Sequence, residues 1–162
     1  MDNTQAQPLV VRRADVTDAP VLTRLREVML SEMGTLDGGD PAWREAAETW
    51  FARRLDVKDD FAAFVIEDPG LGVVSCAAGV CDQHAPGPGN PGGVQGHVFN
   101  VSTDPRCRRR GYAQACLDAL LAWFRDETEA RVITLNATGD GIAMYRSAGF
   151  AESRFPALRL RL

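Results

Sequence analysis

The sequence is poor in lysine, histidine and cysteine, and each shortage excludes a class of protein. Of its 18 basic residues only Lys58 is a lysine, and the 22 acidic residues bring the net charge to −4. General binding to nucleic acid, which requires a basic face, is therefore disfavoured. The four cysteines form no C-x2-C pair and only two histidines are present, so no metal site is predicted.

Long apolar runs are also absent, which argues against a membrane protein. The apolar segment Pro69–Cys81 has only 13 residues, fewer than the roughly 20 that a membrane-spanning helix needs. The first residues, MDNTQAQP, have neither the basic start nor the apolar stretch of a signal peptide. We therefore expect a cytoplasmic protein that binds no membrane and keeps its cysteines reduced.

The sequence does contain enough apolar residues for one hydrophobic core. The chain has 162 residues, of which 45% are hydrophobic and 25% are charged, as in ordinary globular domains. A chain of this length buries roughly two thirds of its unfolded surface without help from disulfides or metals. We expect a single domain over residues 1–162, with residues 1–7 disordered.

Hydrophobic periodicity alternates between strand and helix along the chain. It predicts strands over residues 9–14, 61–67, 71–81, 96–103, 132–137 and 158–162. It predicts helices over residues 17–33, 41–55, 111–126 and 142–148. Three prolines and four glycines in residues 84–95 predict a flexible loop, which is either a lid or an idle surface insertion. This order of elements predicts one mixed α/β layer.

The segment from Asn100 to Ala113 carries the clearest chemical signal. A strand ends, a turn with four arginines follows, and a helix begins at Gly111. The first N–H groups of a helix have no internal partner and lie at the positive end of the helix dipole, so they attract anions such as a diphosphate. Gly111 has no side chain to block close approach. The sequence therefore predicts an anion site, and the alternative is a solvated basic turn.

Two motifs of this sequence resemble those of the GNAT acetyltransferase superfamily. The first, which is similar to the acyl-CoA signature of that family, is Thr103-x-Pro105-x-x-Arg108-x-x-Gly111-x-Ala113. The second, which is similar to the family's helix-to-strand turn, is AMYRSAGF over Ala143 to Phe150. One helix and one strand separate the two motifs, as in the family.

The resemblance implies a single-domain α/β fold with a mixed, mostly antiparallel central sheet of six to seven strands and about four helices. It also implies acetyl-CoA as the acyl donor. The pantetheine arm would lie in a gap between the strands at 96–103 and 132–137, and the diphosphate would lie on the following turn. The implied cofactor-binding residues are Val101, Thr103, Arg108, Arg109, Arg110, Gly111, Tyr112, Ala113 and Asn136. For Asn136 the alternative is an ordinary residue at a strand end.

The resemblance further implies that Tyr145 is catalytic, because the family places a tyrosine acid at this position. A phenol, with a pKa of about 10, can give a proton to a departing thiolate, whose thiol has a pKa of about 8.5. The backbone N–H of Val101 would polarise the thioester carbonyl. The alternative is that Tyr145 only packs the short helix.

The sequence does not identify the general base, since the strand at 96–103 contains no Asp or Glu. His97 is one candidate, because an imidazole can serve as a base near neutral pH, although a lone histidine on a strand is more often structural. A chain of water molecules is another candidate for the base. An acceptor amine that arrives in its neutral form needs no base. Asn100 cannot accept a proton, but it can orient a water or the acceptor.

The function that the resemblance implies is direct, acetyl-CoA-dependent N-acetylation of a primary amine on a small molecule or a peptide. No cysteine has an evident nucleophile setting, so a covalent acyl-enzyme is disfavoured. The alternative is a non-catalytic acyl-CoA-binding regulatory module. Trp43 and Trp50 either border the acceptor pocket or anchor the core. Family members often pair, so both a monomer and a homodimer are compatible with the sequence.

Overall fold

The computed structural model describes residues 9–162, so the expected disorder of residues 1–7 lies outside the described residues. The strands are β1 (Val11–Arg13), β2 (Phe61–Asp68), β3 (Gly72–Gln83), β4 (Val94–Thr103) and β5 (Val132–Thr134). The helices are α1 (Ala19–Glu32), α2 (Trp43–Asp56), α3 (Tyr112–Glu127) and α4 (Ile142–Ser147), with short 3-10 helices at Val16–Asp18 and Pro105–Cys107. The expected α/β class and the four helices are confirmed.

The five strands form one mixed sheet in the order β1-β2-β3-β4-β5. The first four strands run antiparallel to their neighbours, whereas β5 runs parallel to β4. A parallel neighbour requires a long crossover, and α3 supplies it between β4 and β5.

The expectation of six to seven strands is wrong, because the described residues form five. The predicted final strand at 158–162 is not formed, although leucine and arginine alternate along it. Leu158 and Leu160 are 93% and 83% exposed. Alternation makes a segment suitable for a half-buried strand, but a strand also needs a hydrogen-bonded neighbour and a surface to cover. Neither is provided to this segment within residues 9–162.

Helices cover both faces of the sheet and divide the core into two layers. Phe61, Ala63 and Val65 of β2 pack with α1 and α2, whereas Ala62 and Ile66 of the same strand pack with α3. Successive side chains of a strand point to opposite faces. Because both faces are covered, β2 and β3 are nearly continuous apolar runs rather than alternating ones.

Phe124 of α3 fixes the distance between its helix and the sheet. The fully buried ring lies over Gly79 of β3 and Gly96 of β4. A Cβ atom built on either glycine would come within 2.6 Å of a ring carbon of Phe124. The two glycines therefore leave room for the ring where α3 crosses the two strands.

The loop between β3 and β4 is held by its own hydrogen bonds. The N–H of His84 donates to the carbonyl of Gly93, and the side-chain amide of Asn90 donates to the carbonyl of Val94, both at 2.8 Å. The loop thus forms the closed end of a long hairpin.

Over residues 9–162, none of the helices combines the length and the hydropathy that crossing a bilayer requires.

Replacement of Gly96 by alanine tests the packing of Phe124. We expect Gly96→Ala to lower the free energy of unfolding by about 1–3 kcal/mol, because the added methyl group overlaps the buried ring. Urea denaturation followed by circular dichroism measures this change. Gly89→Ala is the matched control, since a Cβ there meets no atom within 4 Å. Equal stability of the two variants would contradict the packing described.

Candidate active site

A cleft of about 1220 Å³ lies where β4 and β5 separate. The two strands pair only over Gln95–His97 and Val132–Thr134. Every residue of β4 from His97 to Thr103 lines the cleft. Backbone N–H and C=O groups on this edge of β4 therefore have no β5 partner, and a ligand with amide groups can hydrogen-bond to them.

A β-bulge at Asn100 changes the course of β4 beside this opening. Cys76 of β3 pairs with Ser102 and Ala78 pairs with Phe99, so β4 has one residue more than β3 in this interval. Asn100 has a φ of 54°, in the left-handed region that asparagine tolerates better than most residues.

The buried side chain of Asn100 holds the bulge against α1. Its amide N–H donates to the carbonyl of Leu22 at 3.2 Å, and its Oδ1 accepts from Arg26 at 3.4 Å. The amide is therefore committed to contacts with α1. This placement argues against Asn100 as the group that orients a water or the acceptor.

Asp104 anchors the turn that follows β4. Its carboxylate accepts from the backbone N–H of Arg106 at 3.0 Å, from the Arg106 guanidinium at 2.9 and 3.0 Å, and from Arg24 at 3.2 Å. These bonds hold the pKa of the buried Asp104 carboxyl well below its usual range. Arg106 is thus used to build the turn.

The turn and the start of α3 present backbone N–H groups that have no acceptor within the helix. Arg109 and Gly111 have φ angles of 61° and 76°. The first intrahelical hydrogen bond of α3 runs from Ala115 to the carbonyl of Gly111 at 3.0 Å, so the preceding N–H groups have no acceptor within the helix. A Cβ on Gly111 would meet no atom within 4 Å. An anion therefore has both donors and space here.

The structure brings most of the predicted cofactor residues to this cleft. Lining it are Val101, Thr103, Arg108, Arg109, Gly111, Tyr112, Ala113 and Asn136. Arg110 is exposed and does not line it. Arg108 forms an ion pair with Glu32 of α1 and donates to the carbonyl of Thr103 at 3.3 Å. Its guanidinium thus joins the turn to α1, an arrangement that the sequence did not predict.

Tyr145 of α4 also lines the cleft. Its ring packs edge-on against Phe150, with 6.0 Å between the ring centroids. Burial raises the pKa of the phenol above its usual value, and no hydrogen-bond partner within residues 9–162 offsets this effect. A phenol with a raised pKa keeps its proton at neutral pH and can donate it.

Two other predicted candidates, His97 and Trp43, reach the same cleft. His97 Nδ1 lies 3.1 Å from the hydroxyl oxygen of Thr134, at the last pair of residues that join β4 to β5. Trp43 lies at the start of α2, with the guanidinium of Arg44 5.1 Å from its ring centroid.

Trp50 does not line the cleft and belongs to an aromatic cluster. Its ring meets those of Phe51, Phe61 and Phe99 edge-on, at centroid distances of 5.3, 5.6 and 5.8 Å. The two tryptophans share a helix face by spacing, but they lie two turns apart on α2. Trp50 therefore packs on the sheet, and only Trp43 reaches the cleft.

Three of the four cysteines are poorly suited to nucleophilic catalysis. Burial raises the pKa of the Cys116 thiol to about 12, and it raises those of Cys76 and Cys81 as well. A thiol with a raised pKa forms little thiolate, the reactive species, at neutral pH. Cys107 lines the cleft and is buried, and the expectation that no covalent acyl-enzyme forms stays a prediction.

The sequence analysis missed the α1 wall of the cleft. This wall includes Arg26, Met29, Leu30 and Met33. Arg26 lies one turn after the buried Leu22, so it falls on the apolar face of the helix. A charged residue on the apolar face of a helix is the sequence pattern that could have indicated this wall.

Comparison with known proteins agrees with the two sequence motifs. The family model of the acetyltransferase (GNAT) family matches residues 26–150, which is more than half of the chain. The protein therefore belongs to the GNAT family of acetyltransferases, and the resemblance is confirmed. A search among curated proteins found no match.

Solved structures share the fold over nearly the whole chain. A predicted acetyltransferase from Clostridium acetobutylicum, solved with acetyl-CoA, has a TM-score of 0.82 and 23% identity, and the match covers 95% of this chain and 96% of that one. A GCN5-related N-acetyltransferase from Ralstonia eutropha has a TM-score of 0.77 and 23% identity, covering 94% and 99%. Glucosamine-6-phosphate N-acetyltransferase from Arabidopsis thaliana has a TM-score of 0.68 and 15% identity, covering 95% and 99%.

Replacement of Asp104 by asparagine tests the anchor of the turn. We expect Asp104→Asn to lower the free energy of unfolding at pH 7 by about 2 kcal/mol, because bonds to two guanidinium groups lose their charge. A carboxyl whose pKa is lower in the folded than in the unfolded chain stabilises the fold above its unfolded pKa, about 3.9, and less so as the pH falls below it. The difference between variant and wild type should therefore shrink below about pH 4.

Chemical denaturation at several pH values measures this dependence. Asp37→Asn, at an exposed loop residue, is the control and should change little at any pH. If Asp104→Asn were as stable as the wild type at neutral pH, Asp104 would not anchor the turn.

Replacement of Gly111 by valine tests the anion site. The side chain would project into open space in front of the N–H groups at the start of α3 and should weaken CoA binding at least about 10-fold by loss of charge-assisted hydrogen bonds. Positive φ alone costs a β-branched residue about 1–3 kcal/mol of stability. Gly38→Val controls for this cost, since Gly38 also has a φ of 76° and open space and lies outside the cleft lining. Calorimetry with CoA should separate the two variants; equal affinities would refute the site.

Proposed function

We propose that the protein is an acetyl-CoA-dependent N-acetyltransferase that acts by direct transfer to a primary amine. The observation that carries this proposal is the convergence of three features on one cleft. These are the unpaired edge of β4, the free N–H groups at the start of α3, and the phenol of Tyr145. Membership of the GNAT family and a structural relative solved with acetyl-CoA support the same conclusion.

The groups around the cleft fit the chemistry of CoA. The edge of β4 at Val101 offers backbone groups to the amides of a pantetheine arm. The turn at Arg109 and Gly111 offers N–H donors and positive charge to a diphosphate. The carbonyl of Thr103 already accepts from Arg108, so its backbone N–H is the freer of its two main-chain groups.

When bound, acetyl-CoA supplies the acetyl group as a thioester: the amine nitrogen forms a bond to the carbonyl carbon as the carbon–sulfur bond breaks. The N–H of Val101 stabilises negative charge on the carbonyl oxygen. Tyr145 donates its phenolic proton to the sulfur as that atom leaves as thiolate. The attacking nitrogen becomes positively charged and loses one proton to a base, which leaves the neutral amide, and the phenol regains a proton from solvent.

His97 is the candidate for that base, because it lines the cleft and its Nδ1 is oriented by Thr134. The second route needs no protein base, since an amine with a lowered pKa arrives neutral and passes its proton to water.

Replacement of Tyr145 by phenylalanine tests the mechanism. We expect Tyr145→Phe to lower kcat about 100-fold, because the departing thiolate loses its proton donor. The Kd for acetyl-CoA should change less than about threefold, since the ring is retained. Release of free thiol over a panel of primary amines measures the rate, and calorimetry measures the affinity. An unchanged rate would exclude Tyr145 as the acid.

The same assay distinguishes the enzyme from the non-catalytic alternative. Tight acetyl-CoA binding by the wild type, without thiol release for any amine, would favour an acyl-CoA-binding regulatory module. Thiol release that depends on the amine would exclude it.

A further inference from the structure

The cleft carries positive charge in a protein that is negative overall. Five arginines line it, against the two carboxylates of Glu32 and Asp140, whereas the net charge of the chain is −4. Arg108 and Arg109 belong to the turn that suits the diphosphate. Arg26 lies elsewhere, in the middle of α1 against the bulge of β4. Its charge is therefore not explained by the proposed diphosphate site.

Arg26 lacks the acidic partner that neighbouring arginines have. Arg24 pairs with Asp104, Arg44 with Glu27, and Arg108 with Glu32. Within residues 9–162, the hydrogen-bond partner of the Arg26 guanidinium is the neutral amide oxygen of Asn100, at 3.4 Å. That distance exceeds the usual 2.7–3.2 Å for N–H···O bonds.

The surroundings of Arg26 make an unpaired charge costly. The side chain is partly buried, and the apolar residues Met29, Leu30 and Phe99 line the same cleft. Burial lowers the pKa of the guanidinium, and no carboxylate within residues 9–162 offsets that effect. A guanidinium has five donors in a planar fork that matches a carboxylate. A carboxylate in the cleft would use the donors that the protein leaves free.

The position of Arg26 relates such a carboxylate to the reaction. Arg26 contacts Asn100, and the next residue is Val101, whose N–H we assign to the thioester carbonyl. A carboxylate at Arg26 therefore lies beside the reacting centre. In a free amino acid the carboxylate is one carbon away from the amine. In a peptide the carboxyl next to the N-terminal amine is a neutral amide.

We propose that Arg26 binds the carboxylate of the acceptor, and that the acceptor is a free amino acid, or a close analogue with a carboxylate beside its amine, rather than a peptide amine. The apolar residues of the α1 wall favour an apolar side chain on that acceptor. This inference rests on the proposed N-acetyltransferase function and narrows its substrate class.

Matched acceptors and matched variants test the inference. L-methionine, L-methioninamide and the dipeptide Met-Gly share an α-amine and a side chain, but only the first has a carboxylate next to the amine. The full-length protein is assayed with each acceptor as wild type, Arg26→Met and Arg26→Lys. Arg53→Met, at an exposed residue of α2 outside the cleft lining, is the control.

We expect Arg26→Met to lower kcat/KM for methionine about 10- to 100-fold, the value of a charge-assisted hydrogen bond, mainly through KM. The values for the amide and the dipeptide should change less than about threefold. Arg26→Lys should restore part of the loss for methionine alone, and Arg53→Met should match the wild type. An equal loss for all three acceptors would overturn the inference, because Arg26 would then act only through Asn100 or on the shared acyl group.

Binding separates failure of this inference from failure of the proposed function. Calorimetry in the presence of CoA, which cannot transfer an acetyl group, measures methionine against methioninamide without turnover. Tighter binding of methionine that Arg26→Met abolishes supports the carboxylate site, even if no amine ever releases thiol from acetyl-CoA. If methioninamide or the dipeptide is acetylated while methionine does not bind, the carboxylate site is overturned. The proposed N-acetyltransferase function is then still supported.

Discussion

The separation of β4 from β5 after His97 is the constraint on which the rest of the structure depends. A parallel pair that lasts three residues leaves the following main-chain groups on one edge of β4 without a β5 partner, while the other edge stays paired with β3. In a buried sheet such groups cost free energy unless another partner satisfies them. The same strand then leads directly into the turn and into the N-terminus of α3. One strand therefore places, in order, the candidate base, the bulge, the open edge and the anion site along a single cleft.

Some arginines of this site hold it in shape, and others leave their charge available to a ligand. Arg24 and Arg106 are bound by the buried carboxylate of Asp104 and shape the turn. Arg108 is held by Glu32 and ties the turn to α1. Arg109 lines the cleft from a left-handed backbone conformation, and the partner of Arg26 among residues 9–162 is a neutral amide at the end of a long hydrogen bond. A turn rich in arginine is thus only partly a binding surface, because much of its charge holds the turn in shape.

The sequence predicted the helices and the central strands well, since their signals are local. The apolar runs of β2 and β3, the turn before β3 and the glycine at the start of α3 can each be found from neighbours in the chain. It was wrong about residues 158–162, where strict alternation indicated a strand. It also left the roles of Trp43 and Trp50 undecided, and only their contacts place Trp43 at the cleft and Trp50 against the aromatic rings of the sheet. The role of Arg110 also could not be predicted from the sequence. Its neighbours in the motif line the cleft, but Arg110 does not.

By itself the sequence determined the class of fold, the family motifs and the N–H-rich turn at Gly111. These depend on spacing, glycine and helix termini, which act over a few residues. The tertiary structure alone decided where β5 leaves β4, which arginines are neutralised, and that Arg26 of α1 faces the bulge at Asn100. Several of those features join groups far apart in the chain: His97 and Thr134 are 37 positions apart, and Arg26 and Asn100 are 74 positions apart. No local pattern can specify that such groups meet, because their contact depends on how every intervening element packs.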